Sequence, residues 1–139
     1  MSELRLEAAE AALRAALDKA REIGSPSSVA VVDAGRELLA FARMDDALLA
    51  SAEIAQAKAY TARSLNCATR DVDTATQPGG PLYGMQTAHL AAGRALVTFG
   101  GGVPITTGGA IVGAIGVAGG TPDQDHEIAS AGAAAGGAG

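Results

Sequence analysis

Gly100-Gly101-Gly102-Val103-Pro104-Ile105-Thr106-Thr107-Gly108-Gly109-Ala110-Ile111-Val112-Gly113-Ala114-Ile115-Gly116-Val117-Ala118-Gly119-Gly120-Thr121-Pro122-Asp123-Gln124-Asp125 is the stretch on which the fold turns. It reads as turn, strand, tight turn, strand, glycine turn and helix start. Gly108-Gly109 lies between two apolar runs, the signal of a two-residue hairpin. Ala110 to Ala118 is small and apolar throughout, which predicts a strand covered on both faces. Its glycines remove side chains where another backbone or a ligand comes close. Thr121 with Gln124 forms a capping box, and Pro122 takes the first helical position. A glycine turn opening on a helix N-terminus either offers free N–H groups to an anion or serves only turns and close packing.

The rest of the chain supplies partners for that hairpin. Leu6, Ala9, Leu13, Ala16, Leu17 and Ala20 recur at helical spacing and predict a helix over Glu3–Ile23, ended by Gly24 and Pro26. Ser28–Val32 and Glu37–Arg43 read as strands joined by the turn Asp33-Ala34-Gly35-Arg36. Ala50–Leu65 reads as a second long helix with Ser51 as its cap. Asn66–Gln77 is polar loop or irregular helix, Pro78–Gly84 is rich in turns, and Met85–Ala92 is short helix or loop. Arg94–Phe99 reads as a further strand. The tail from Ala133 to Gly139 is expected to fray. Helix, two strands, helix, three strands, helix makes one α+β domain over residues 1–139, with a mainly antiparallel sheet.

Composition narrows the function. The chain has 139 residues and is 48% hydrophobic but only 3% aromatic, so its core is built by close approach of small side chains. A net charge of −5 without a basic stripe argues against nucleic acid as a partner. Cys67 is the single cysteine, so no internal disulfide framework exists. Together with the lack of a leader pattern or a long unbroken apolar run, this predicts a cytoplasmic protein that does not enter a membrane.

Candidate chemistry begins with misplaced charges. At about 100° per residue, Lys58 falls in the middle of the apolar arc of Ser51, Ile54, Ala55, Ala62 and Leu65. A lysine there snorkels, pairs with a carboxylate, or lines a cavity. Asp125 likewise shares the apolar face of the last helix with Ile128 and Gly132, although the helix dipole also favours an acid at that end. Arg43 and Asp45 put charge in another apolar neighbourhood. Lys58 paired with Asp125 or Asp45, next to Gly119 and Gly120, makes a candidate pocket for a carboxylate. His126 is expected at the surface, while His89 could reach a pocket. Two separated histidines and one cysteine form no metal-site spacing, and no hydrolase elbow, dinucleotide or P-loop motif occurs.

Several blocks in register carry a resemblance. Val31-Val32-Asp33-Ala34-Gly35, Arg43-Met44-Asp45-Asp46-Ala47, Lys58-Ala59 with Thr61, Pro81-Leu82-Tyr83-Gly84, Gly100-Gly101-Gly102-Val103-Pro104-Ile105, Val112-Gly113-Ala114-Ile115-Gly116-Val117 and Asp123-Gln124-Asp125 together resemble the GlcG/HbpS family. The likeness runs from about Val31 to Gly132, and it extends to the C-terminal domain of the corrinoid adenosyltransferase PduO. It implies a profilin-like fold, a five-stranded antiparallel sheet with helices on both faces, and self-association from dimers up to octamers. Some relatives bind or degrade haem, so the resemblance implies a small-molecule ligand with haem as the candidate cofactor. His89 is then the candidate iron ligand. Other relatives accompany the catabolism of small organic acids, which implies an alternative. Lys58 and Asp125 would exchange protons there, while Arg43 or the Gly119-Gly120 turn holds the anion. The shared positions Asp33, Asp45, Gly101 and Gly102 complete the candidate site.

Overall fold

The structure, a computed structural model, describes residues 3–138; Met1, Ser2 and Gly139 lie outside them. Its elements are α1 (Leu6–Ile23), β1 (Ser28–Asp33), β2 (Leu38–Arg43), α2 (Ser51–Leu65), the short α3 (Asp73–Thr76), β3 (Gly102–Thr107), β4 (Ala110–Ala118) and α4 (Pro122–Gly137). Four strands form one antiparallel sheet in the order β2-β1-β4-β3. β1 and β4 lie at its centre, with Val31 opposite Ile115.

Alternation along β1 divides the core between two faces. Val29 and Val31 face α1 and α4, joined there by Ile105, Ile115, Val117 and Ile128. The alanines of α1 at 9, 12, 16 and 20 let that helix sit close. Ala30 and Val32 face α2, against Ala55, Ala59, Ala62 and Ala114. Gly116 sets the spacing on this side: a Cβ there would stand 2.5 Å from the Ala59 amide nitrogen. A nearly all-alanine interface is how a chain so poor in aromatics closes its core.

The hairpin forms as read. Gly108 and Gly109 take φ of 58° and 83°, the turn type that matches strand twist. Pro104 is accommodated because β3 is an edge strand. Thr121 and Gln124 form the reciprocal capping box, with Pro122 behind it.

Four expectations are corrected. Among the described residues the sheet has four strands and not five, because Arg94–Phe99 does not pair into it. Hydroxyls hold that segment instead: the Val97 amide donates to Thr61 Oγ1, Thr98 bonds Thr76, and Thr69 Oγ1 donates to the Phe99 carbonyl. Its backbone needs are met from α2 and the turns after it, so no ladder forms. Helix occupies most of the stretch read as a tail: α4 runs to Gly137, with Gly132 and Gly136 buried against α1. A bare helix surface gains contact area there that Ala-Gly composition alone does not reveal. Ser51 does not cap α2; its hydroxyl donates to the Leu48 carbonyl and bonds Ser28. α1 begins at Leu6 rather than Glu3, with Arg5 extended before it.

Candidate functional site

Lys58 and Asp125 do meet. Lys58 Nζ donates to Asp125 Oδ2 and to the Val117 carbonyl, both at 2.9 Å, and stands 4.9 Å from the centre of the Phe99 ring. The two side chains are 1% and 3% exposed. Asp125 Oδ1 accepts from the Gly120 amide at 2.9 Å. Burial pushes the Lys58 ammonium below its ordinary value, against the opposing pull of Asp125.

The glycines around this pair leave no room for a ligand. A Cβ on Gly101 would lie 2.6 Å from Lys58 Nζ, and one on Gly102 would strike the Lys58 carbonyl. Gly119 abuts the Pro26 carbonyl and Gly120 the Ser25 hydroxyl, each at 2.5 Å from an added Cβ. Neither Lys58 nor Asp125 lines the cavity beside Tyr60, the one between α1 and the end of α4, or the hollow beside Arg43. The arrangement is a satisfied ion pair that ties α2, the end of β4 and the start of α4 together.

Arg43 and Asp45 are elsewhere. Both are exposed at the end of β2, an edge strand, and neither pairs with Lys58 or Asp125. They border a shallow hollow with Leu17 and Arg21. Asp33 serves its own turn, accepting from the Gly35 and Glu37 amides at 2.8 and 3.0 Å. His126 is half-buried, not at the surface; Nε2 lies 3.2 Å from the Ser130 hydroxyl, and buried Nδ1 has no partner among the described residues. Burial, then Arg70, lowers its pKa, with Asp71 and Asp123 opposing. Burial and Asp71 push the Cys67 thiol up, which makes it a poor nucleophile.

A second cluster lies on the outer face of α2. The turn after β1 places Arg36 at φ 68°, over that helix. Arg36 Nη1 donates to the Tyr60 hydroxyl at 3.1 Å and to Ser64 at 3.2 Å. The Arg36 and Arg94 guanidinium carbons stand 4.8 and 4.5 Å from the centre of the Tyr60 ring. Tyr60 is only 7% exposed beneath them. His89 meets the Tyr60 hydroxyl through Nδ1 at 2.9 Å, with the rings edge to face. His89 Nε2 forms no hydrogen bond among the described residues. A cavity of about 490 Å³ opens here, lined by Val32, Arg36, Leu38, Gln56, Tyr60 and Arg94 among others.

His89 touches this cavity only through Tyr60, which lines it, while Asp45 borders the separate hollow near Leu17; sequence reasoning missed the companions of His89. Tyr60 falls on the polar side of α2, where it reads as a solvent-facing residue. The usable signal was an aromatic on an outer helix face, which needs cover. What arginine arrives to cover it depends on loops.

The fold is that of a small α+β domain, and comparison places it. The chain belongs to the family described as haem degrading protein HbpS-like, whose model matches residues 4–134. It is 43% identical over 124 residues to an uncharacterized 15.0 kDa protein of the dhaT-dhaS intergenic region of Citrobacter freundii, covering 89% of this chain and 85% of that one. It is 42% identical over 123 residues to the corrinoid adenosyltransferase PduO of Salmonella typhimurium, covering 88% of this chain but only 35% of that protein. Among solved structures, a PduOC:heme complex superposes with a TM-score of 0.87 at 38% identity, covering 96% of this chain and 94% of that one. No helix among the described residues is long and apolar enough to cross a membrane.

Proposed function

We propose that this protein binds haem or a closely related tetrapyrrole in the cavity beside Tyr60, with His89 as the iron ligand. The observation that carries the reading is the imidazole held at Nδ1 by the Tyr60 hydroxyl while Nε2 stays unbonded. Bracing one ring nitrogen fixes the orientation of the other, which is how proteins hold metal-binding histidines. The relatedness to a domain solved as a heme complex supports the same ligand class.

His89 bonds Tyr60, which lines the cavity, and is not itself a lining residue. A cavity of about 490 Å³ lies in the range of cofactor sites. Val32, Leu38 and Ala57 supply apolar wall, and Arg36 and Arg94 supply positive charge for acidic substituents. Bound iron would bring redox and Lewis-acid chemistry to the site. The chain's own part is to hold and orient: α2 fixes Tyr60, Tyr60 fixes His89, and the two guanidiniums fix Tyr60.

The alternative, acid–base work by Lys58 and Asp125 on a small acid, is supported less, because their side chains are 1% and 3% exposed and already satisfied by each other. Self-association is part of the proposal; Leu48 and Leu49, 69% and 81% exposed, are apolar surface available to a second copy.

The test is a titration with haemin followed by absorbance. We expect saturation near one equivalent and a Soret shift that is lost in His89→Ala. Absence of a saturable shift in the parent protein, or an unchanged shift in the variant, refutes the assignment.

A further inference from the structure

We infer that Arg36 and Arg94 form a carboxylate-binding pole of the cavity beside Tyr60, able to take a short dicarboxylate without iron. This deepens the tetrapyrrole reading, whose ligand class carries carboxylates on its periphery, but it rests on different atoms.

The chain is acidic overall, with 15 acids against 10 bases, yet these two guanidiniums pair with no carboxylate among the described residues. Arg94 forms no side-chain hydrogen bond there either, and Arg36 uses only Nη1. Both are held against the Tyr60 ring, at 4.8 and 4.5 Å from its centre. Stacking on an aromatic fixes a guanidinium without using its N–H groups. The result is two guanidiniums set in place, Arg94 with no side-chain hydrogen bond and Arg36 with only Nη1 engaged among the described residues. Planar forks match carboxylates in bidentate fashion.

The cavity's acids do not neutralise them. Glu37 and Glu53 line it, but neither comes within ion-pair distance of Arg36 or Arg94. Glu53 lies seven residues before Tyr60 on α2, about 10 Å along the helix. Glu53 thus lies toward the start of α2, while Glu37 follows Arg36 in the chain without pairing with it.

The experiment uses ¹⁵N-labelled protein titrated with succinate, and haemin titrations of Arg36→Gln, Arg94→Gln and Lys19→Gln. Lys19 pairs with Glu22 and Glu127 on α1 and α4, so its variant removes the same charge away from the cavity. We expect succinate to shift the Nε–H signals of Arg36 and Arg94, and each arginine variant to weaken haemin binding about tenfold. Lys19→Gln should bind as the parent does. Succinate shifts without haemin binding would remove the tetrapyrrole reading and leave this inference standing. Haemin binding that is unchanged in both arginine variants, with no succinate shifts at Arg36 or Arg94, overturns the inference and leaves the other. Equal weakening in Lys19→Gln also overturns it, since bulk charge would then explain the effect.

Discussion

Replacing Lys58 by methionine tests whether the buried ion pair is a brace. Methionine keeps an unbranched stem of similar length, so the packing under Gly101 survives while the ammonium is lost. Asp125, 3% exposed, is then left with the Gly120 amide as its one hydrogen-bond donor. Removing one partner of a buried pair costs about 3–5 kcal/mol, because the remaining charge is neither solvated nor compensated. The unfolding entropy of a chain this long is about 0.3 kcal/mol/K, so the melting temperature should fall by about 10–17 °C. Urea unfolding with a parallel thermal scan measures both. The double variant Lys58→Met, Asp125→Leu should recover most of the loss, since no lone charge remains buried. A Lys58→Met protein within about 1 kcal/mol of the parent would refute the reasoning. So would a double variant less stable than either single one.

Two other outcomes follow from the geometry. His126 has a lowered pKa in the folded protein, so below its ordinary value of 6.5 the unfolded chain binds the proton more readily. Stability should therefore fall as pH drops through the window below 6.5, and His126→Gln should flatten that slope in urea midpoints measured across it. Gly132→Ala gains about 1 kcal/mol of helix propensity but places a Cβ 2.9 Å from the Ala12 carbonyl and hard against Ile115. Overpacking of about 1–3 kcal/mol should win, and a stabilised variant by thermal melting would show that α1 and α4 can separate at little cost.

The hairpin, the capping box and the inward aim of Lys58 and Asp125 were legible because each rests on short-range pattern or helical phase, while the sequence leaves open the choice of Asp125 over Asp45 as partner. Gly108-Gly109 needs only positive φ, and Thr121 with Gln124 is a local exchange of hydrogen bonds. The phase of α2 put Lys58 inward whatever the tertiary detail. Arg94–Phe99 was misread because apolar alternation cannot tell a strand from a segment held by threonine hydroxyls on other elements. The helix in the tail was missed for a related reason. Gly132 and Gly136 carry no hydrophobic signal, yet they let α4 approach α1 closely enough to bury its end. Arg43 and Asp45 seemed inward only because their neighbours are apolar, and β2 is an edge strand with a partly exposed face. The Tyr60 cluster draws on a hairpin turn, a helix and a loop, and no single segment announces it.

The pairing of β1 with β4 also governs how the chain is made. Ser28 finds its partner in Ala118 and Asp33 in Gly113, so the two central strands lie far apart in sequence. During synthesis Val29–Val32 emerges long before the strand that covers its flank. Until then β1 has only β2 beside it, and a two-stranded ribbon is marginal in water. Loop closure over that span must be met before the central contacts stabilise anything, which favours slow folding. The sheet is therefore completed only once β4 has emerged, and fragments that stop short of β4 should expose Val29–Val32 and aggregate.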